Sequence, residues 1–96
     1  MIRGFHIPLG IPAEQIRQVG DELLASGTYG WIEVKYPYDV VGYDPEPYAR
    51  VVRELVKRHS PAVSLHVPTN YDLGVWSKAL RAATLEQVRR SIDFAA

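Results

Sequence analysis

The segment Trp31-Ile32-Glu33-Val34-Lys35-Tyr36-Pro37 is a short run rich in β-branched and aromatic residues that a proline ends. Its last three residues, polar, apolar and proline, recur as His6-Ile7-Pro8 and His66-Val67-Pro68. The copies begin at positions 6, 35 and 66, which are 29 and 31 residues apart. Proline is a suitable end for a strand, because it lacks the N–H group that a central strand donates. The repeat predicts three β-strands, at residues 2–7, 31–36 and 62–67.

Each predicted strand is followed by a segment whose apolar residues have helical spacing. The first segment begins after Pro12 and ends at Gly27, and the second begins at Asp44-Pro45, an N-cap followed by a first-turn proline. In the third segment, Thr84 and Gln87 have the spacing of a capping box. The apolar stripes expected to face the sheet are Ile16, Val19, Leu23 and Leu24, then Tyr48, Val51, Val52, Leu55 and Val56, and finally Leu85, Val88, Ile92 and Ala95.

The order β-α-β-α-β-α predicts an α/β fold in which right-handed crossovers join parallel strands. Aligned on the prolines, the strands place Phe5/Val34/Leu65 and Ile7/Tyr36/Val67 on one face, and Gly4/Glu33/Ser64 and His6/Lys35/His66 on the other. An open doubly wound sheet buries two apolar faces, whereas the inner face of a barrel carries functional residues near its mouth. We therefore expect three parallel βα repeats of a partial (β/α)8 TIM-like barrel, with an open doubly wound sheet as the alternative.

The length of the chain sets how much of a barrel it can form. Ninety-six residues make one domain or part of one, whereas a complete (β/α)8 barrel needs about 250 residues. Three βα units supply three of the eight strands. We expect residues 1–96 to be a single N-terminal (βα)3 portion of a TIM-like barrel.

The composition excludes several classes of function. Eleven Lys and Arg residues balance eleven Asp and Glu residues, so the formal net charge is zero. Binding to nucleic acid or to an anionic membrane usually needs a basic excess, so we expect neither partner. The absence of cysteine excludes disulfides, thiolate nucleophiles and Cys-ligated metal centres. The N-terminus lacks a signal-peptide core and no stretch is apolar enough to span a membrane, so we expect a cytoplasmic protein.

Candidate functional residues cluster on the polar face of the predicted sheet. His6, Lys35 and His66 lie at the carboxyl ends of the three strands, and Glu33 lies one layer deeper. Two imidazoles, a carboxylate and an ammonium group can bind a metal, a phosphate or a sugar hydroxyl. The alternative is that Glu33 and Lys35 form a buried ion pair while the histidines bond to neighbouring loops. For Lys35 a structural role is the preferred interpretation.

The longest loop is expected after the third strand, from Pro68 to about Thr84, and long loops in compact domains are commonly functional. Asn70, Asp72 and Trp76 in this loop combine polar and aromatic side chains, which suits a sugar ligand. The alternative is a short helix at residues 75–80 that Trp76 anchors. The candidate substrate-binding residues are therefore His66, Glu33, His6, Asn70 and Asp72. No catalytic residue is assigned.

Other side chains and motifs give no competing site. Lys57, Arg58 and His59, at the end of the second predicted helix, are interpreted as solvated charges that favour a helix C-terminus. The turn after the first strand matches no dinucleotide or Walker fingerprint. The chain contains no Gly-x-Ser-x-Gly elbow.

Three motifs resemble the N-terminal part of the xylose isomerase-like barrel proteins, which include sugar phosphate isomerases/epimerases and endonuclease IV. Tyr29-Gly30-Trp31-Ile32-Glu33-Val34 is similar to their second strand. His66-Val67-Pro68 followed by Asp72-Leu73 is similar to their third-strand segment. Arg81-x-x-Thr84 leading into Ile92-x-x-Ala95 resembles their third helix. The resemblance covers nearly all of the chain.

This resemblance implies a (β/α)8 barrel that uses a divalent metal, Mn²⁺, Mg²⁺, Co²⁺ or Zn²⁺, to polarise a carbonyl or hydroxyl group. The principal metal ligands of the family lie on strands after the third, so no tightly bound metal is expected for this chain. By resemblance, His66 is an auxiliary metal or substrate ligand, and Glu33 is structural or faces the substrate.

The expected function is that of the N-terminal portion of a metal-dependent sugar or sugar-phosphate isomerase or epimerase, inactive as an isolated chain. The alternatives are a non-catalytic binding or assembly fragment and an apurinic-site endonuclease-like barrel, which the neutral charge disfavours. Because three parallel strands leave two free edges, we also expect a homodimer.

Overall fold

The computed structural model describes residues 3–38, 40–66 and 78–96. Its elements are β1 (Arg3–Ile7), α1 (Ala13–Ala25), β2 (Tyr29–Lys35), α2 (Glu46–His59), β3 (Ala62–His66) and α3 (Lys78–Ala95). The three strands are parallel and form one sheet in the order β1-β2-β3. The predicted α/β order and the parallel pairing are confirmed.

The predicted signals at the helix ends explain where α1 and α2 begin and end. The helix α1 ends just before Gly27, whose positive φ of 78° suits a residue without a side chain. At the start of α2, an Asp44 carboxylate oxygen accepts a hydrogen bond from the Glu46 amide at 3.2 Å. The same helix ends at Ser60, which takes the left-handed conformation while its amide donates to the Val56 carbonyl at 2.8 Å.

The core lies between one face of the sheet and the helices. Ile7, Ile32 and Val34 of the strands are buried, and they project toward α1 and α2. Phe94 of α3 packs against the same cluster, so all three helices lie on one side of the sheet. The helix residues buried in this core are Ile16 and Leu24 of α1 together with Tyr48, Val51, Val52 and Leu55 of α2. The predicted apolar face is therefore confirmed, and the opposite face has no helix on it in the part of the chain that the structure describes.

The pairing register of β1 differs from the one that the prolines predict. Between β2 and β3 the prediction is correct, because Lys35 lies level with His66. Between β1 and β2 it is wrong, because His6 lies level with Glu33 and not with Lys35. The difference is two residues, so every side chain keeps its predicted face. The physical reason is the Tyr48 side chain, whose hydroxyl binds backbone groups of both strands at or next to their last paired residues.

The buried hydroxyl of Tyr48 joins the carboxyl ends of β1 and β2. It donates a hydrogen bond to the Ile7 carbonyl at 2.7 Å and accepts one from the Lys35 amide at 3.0 Å. Ile7 and Val34 are the last residues paired between these strands, so the hydroxyl continues the ladder by one step. Burial raises the pKa of Tyr48 to about 12, which keeps the hydroxyl protonated.

We expect Tyr48→Phe to lower the free energy of unfolding by about 1–3 kcal/mol, because two buried backbone groups lose their partner. Urea denaturation monitored by circular dichroism measures this loss. The matched control is Tyr38→Phe, because Tyr38 is exposed and, among the described residues, its hydroxyl bonds to Glu46 alone, at 3.3 Å. The control should change the free energy by less than about 0.5 kcal/mol. Equal effects of the two substitutions would contradict the bridging role of Tyr48.

Two rows of ion pairs hold α1 against α2. In one row Arg17 donates from Nε to Glu54 at 2.8 Å. In the other, Asp21 contacts both Arg58 and the Nε2 atom of His59, the latter at 2.7 Å. The prediction that Arg58 and His59 lie at the C-terminus of α2 is confirmed, but it missed that both side chains also pair with Asp21. Their place at the end of α2 puts them beside the carboxylate of the neighbouring helix.

These contacts make stability depend on pH. The hydrogen bond from His59, and then the one from Arg58, hold the pKa of Asp21 below its ordinary value of 3.8. A carboxyl group with a lowered folded-state pKa stabilises the fold above its unfolded pKa, and this contribution is lost as the pH falls through the folded value. Urea unfolding between pH 5 and pH 2 should show a decline that Asp21→Asn makes shallower. Glu22→Gln, at an exposed position, serves as the control. If the free energy of unfolding of Asp21→Asn falls with pH as steeply as that of the unaltered chain, the prediction is contradicted.

The third helix packs differently from the predicted arrangement. It already includes Lys78, and the Thr84 hydroxyl donates to the Leu80 carbonyl inside the helix at 2.8 Å, so the predicted capping box is wrong. The predicted apolar stripe is also wrong, because Leu85 is 49% and Ile92 63% exposed. Ser91 and Phe94 face the rest of the chain instead. No helix in the described part of the chain is long and apolar enough to cross a membrane.

Candidate functional site

The candidate site lies on the face of the sheet that the described helices leave uncovered. Strand alternation projects Glu33 and Lys35 of β2 to this face, together with His6 of β1 and both Ser64 and His66 of β3. His6 and His66 are exposed, whereas Glu33 and Lys35 are half-buried. The predicted polar face is thus present, with its titratable groups toward the carboxyl ends of the strands.

Glu33 and His66 form the one side-chain ion pair between predicted site residues in the described ranges. The Nδ1 atom of His66 lies 3.3 Å from a Glu33 carboxylate oxygen. An ionised carboxylate can only accept, so Nδ1 carries the hydrogen of this bond. The Nε2 atom is then left as an acceptor for a ligand hydroxyl group. About two fifths of each side chain is exposed, so solvent or a ligand can reach the pair.

His6 and Lys35 flank this pair without forming an ion pair with it. His6 on β1 lies level with Glu33 on β2, and Lys35 on β2 lies level with His66 on β3. The alternative in which Glu33 and Lys35 form a buried ion pair is wrong within the described residues, because the Glu33 carboxylate contacts His66. The backbone amide of Lys35 donates to Tyr48, and the structural role of its side chain stays a prediction.

Trp31 is a component of this face that the sequence analysis did not assign. Its indole Nε1 donates to the Ser64 hydroxyl on β3 at 3.1 Å. On the other side its ring covers Gly4 of β1, where an added Cβ atom would lie 2.1 Å from Cε3. The indole therefore crosses all three strands, and Trp31 remains 38% exposed. The sequence feature that could have indicated this contact is Gly4 on the neighbouring strand, because a glycine leaves room for a large ring.

The loop part of the predicted site falls on residues that the structure does not cover. Asn70, Asp72 and Trp76 lie outside the described residues. The predicted loop ending near Thr84 is too long, since α3 already includes Lys78. The site that the structure places is therefore Glu33 with His66, beside His6.

The described residues do not by themselves form a metal centre. No group of three or more His, Cys, Asp or Glu side chains in these ranges could hold a metal ion. Glu33 and His66 supply two donors, which already contact each other. A protein site for a divalent metal needs further ligands, so the two residues fit at most an auxiliary position.

Gly4→Ala tests whether the indole lies on Gly4. In a Trp76→Phe background, where Trp31 is the remaining tryptophan, the new methyl group should displace the ring and shift the emission maximum. It should also lower the free energy of unfolding by about 1–3 kcal/mol. Ser64→Ala removes the hydrogen bond without a clash and should have the smaller effect on both quantities. Unchanged emission and stability in Gly4→Ala would show that the ring lies elsewhere.

Comparisons with known proteins add no assignment to this geometry. No family model, no curated protein and no solved structure matches the chain. The resemblance to the xylose isomerase-like barrels therefore rests on the three sequence motifs alone.

Proposed function

We propose that this chain is the N-terminal (βα)3 portion of a (β/α)8 barrel enzyme, a metal-dependent sugar or sugar-phosphate isomerase or epimerase. The observation that carries the proposal is the contact between Glu33 and His66 at the carboxyl end of an uncovered sheet face. Catalytic groups of barrel enzymes gather at that end of the strands.

The winding of the chain supports a barrel over a doubly wound sheet. The strands follow the order β1-β2-β3, and residues from all three helices pack on the same face. A doubly wound sheet reverses its strand order at one point and carries helices on both faces. The described part of the chain contains no such reversal.

The chemistry of the face suits a sugar. The Glu33 carboxylate accepts hydrogen bonds from hydroxyl groups, and the Nε2 atom of His66 can accept a proton from a hydroxyl group or an adjacent carbon. Lys35 adds a positive charge that a phosphate group would use, and a ring N–H of His6 can donate a hydrogen bond to the same group. Because the described residues provide two metal donors, the remaining ligands of the proposed enzyme come from elsewhere, and no step here is derived through a metal.

A non-catalytic assembly fragment is the second candidate. Both outer edges of the sheet are free of pairing with any described residue. Several large apolar side chains are also exposed, among them Val19, Val63, Leu85 and Ile92. Free edges and exposed apolar groups favour association with other chains, including a homodimer.

Titration of the isotope-labelled chain with aldoses, ketoses and their phosphates tests the proposed function. We expect chemical-shift changes confined to His6, Glu33, Ser64 and His66, with a dissociation constant of about 1–10 mM for so open a site. Glu33→Gln and His66→Gln should each weaken binding by about ten-fold, through loss of a charge-assisted hydrogen bond.

The matched control is His59→Gln, which changes a histidine on α2 and should leave sugar binding unchanged. Parallel calorimetric titrations with Mn²⁺, Mg²⁺, Co²⁺ and Zn²⁺ should give weak or no binding. Shifts scattered over the surface, or none with any sugar at about 50 mM (roughly five to fifty times the expected constant), would contradict the proposal and leave the assembly candidate.

A further inference from the structure

The indole of Trp31 lies obliquely across the polar face of the sheet and reaches the layer of the candidate site. Its benzene ring covers Gly4, which lies level with Trp31 itself. At the other end of the indole, Nε1 donates to Ser64 at 3.1 Å, and Ser64 lies level with Glu33. Ser64 is two residues nearer the carboxyl end than Ala62, the residue opposite Trp31, a rise of about 6–7 Å. The pyrrole edge of the indole therefore ends in the layer of Glu33.

The Glu33–His66 pair borders this edge of the indole. Neighbouring strands are about 4.8 Å apart, and Ser64, which holds Nε1, lies directly across the ladder from Glu33. His66 follows two residues further along β3 and contacts the Glu33 carboxylate through Nδ1. An apolar ring and a pair of hydrogen-bonding groups thus lie next to each other on the open face of the sheet.

One side of the indole is held by the sheet, and the other is free for a ligand. The contact with Gly4 and the hydrogen bond to Ser64 fix the ring on β1 and on β3. Trp31 is nevertheless 38% exposed. Because the side that lies on Gly4 is covered, the exposed part includes the side that points away from the sheet. The indole therefore offers a flat apolar surface whose N–H group already has its partner.

We propose that the Trp31 indole is a stacking platform for the apolar C–H face of a closed sugar ring whose hydroxyl groups bind Glu33 and His66. The inference rests on the proposed function and narrows its substrate class to sugars in the ring form. In a pyranose with equatorial hydroxyl groups, axial C–H bonds form an apolar face and the hydroxyl groups form a polar rim. The C–H face matches the electron-rich face of the indole, and the rim matches the two polar groups beside it.

Open-chain and planar aromatic ligands fit these groups less well. An open-chain polyol carries hydroxyl groups on all sides and has no continuous C–H face to lay on the indole. An aromatic base would stack on the ring, but its edge would have to supply a donor to Glu33 and another to the Nε2 atom of His66. Each hydroxyl group of a sugar can donate and accept, so a sugar ring satisfies both neighbours and the platform together.

Completion of the proposed barrel would keep the platform on the substrate side. The helices of a barrel lie outside its strands, so the uncovered face of this sheet would point to the interior. Trp31 precedes Glu33 by two residues on β2. Its ring would therefore form the floor of a site that opens at the carboxyl end of the strands.

Titrations of the Trp76→Phe chain, in which Trp31 is the remaining tryptophan, test the platform. The probes are methyl β-D-glucopyranoside, which is locked in the ring form, the open-chain polyol sorbitol, and adenine, a planar aromatic compound. The glycoside should shift the Trp31 emission maximum and bind about three- to ten-fold more tightly than sorbitol, the factor that one aromatic contact supplies. Saturation transfer from the protein should be strongest at the C–H protons of one face of the glycoside.

Substitutions separate the platform from a merely structural role of the ring. Trp31→Leu should abolish the preference for the glycoside over sorbitol, whereas Trp31→Phe keeps an aromatic face and should retain part of it. Ser64→Ala is the matched control, because it removes the hydrogen bond of the indole but leaves the ring, and it should keep most of the preference. If Trp31→Leu fails to fold, the emission shift and the one-sided saturation transfer decide the question.

The outcomes distinguish this inference from the proposed function. Sorbitol binding as tight as that of the glycoside, tighter binding of adenine, an unchanged Trp31 emission, or a preserved preference in Trp31→Leu would each overturn the platform. Chemical-shift changes at Glu33 and His66 with the sugars would in those cases leave the proposed function in place. No binding of any sugar would overturn both proposals.

Discussion

The hydroxyl of Tyr48 is the constraint on which the functional end of the sheet depends. It binds Ile7 and Lys35 at once, so it fixes where β1 ends and how far β2 continues beyond it. Because Tyr48 lies in the first turn of α2, the same bonds place the helix against the strands. Burial raises the pKa of this hydroxyl from its ordinary value of 10 to about 12, so it stays a donor well beyond the physiological pH range. The heights of His6 and Glu33 on their strands follow from this one side chain.

The two faces of the sheet divide the tasks of stability and chemistry. On one face, Ile32 and Val34 are buried under α1 and α2, and ion pairs join the outer sides of these helices. On the other, Glu33 and His66 contact each other within reach of solvent. The candidate site and the core are therefore made of different residues on opposite faces of the sheet, the usual relation between a functional site and the fold that carries it. Trp31 is the exception, since it contributes a large ring to the polar face.

Much of the fold was predictable because it depends on local patterns. Proline at Pro8 and Pro37 marked the strand ends, and alternation along β2 separated Val34 from Glu33 correctly. The register of β1 was not predictable, since it is set by Tyr48, which is 41 residues from Ile7 in sequence. The packing of α3 was not predictable either, because its apolar residues lie on more than one side of the helix. The polar face of the site was predictable from strand alternation. The position of the Trp31 indole over Gly4 was not, because it depends on which residues of β1 and β2 lie side by side.

The sparse attachment of α3 has a consequence for motion. Of its residues, Ser91 alone is buried, and the rings of Tyr36, Tyr38 and Phe94 stack at centroid distances of 5.6–5.9 Å where α3 meets the end of β2. A segment with few buried apolar contacts opens at a lower free energy than the core around it. We therefore expect two levels of local stability, with α3 opening at a lower free energy than the unit from β1 to β3, through loss of the Phe94 contacts and the burial of Ser91.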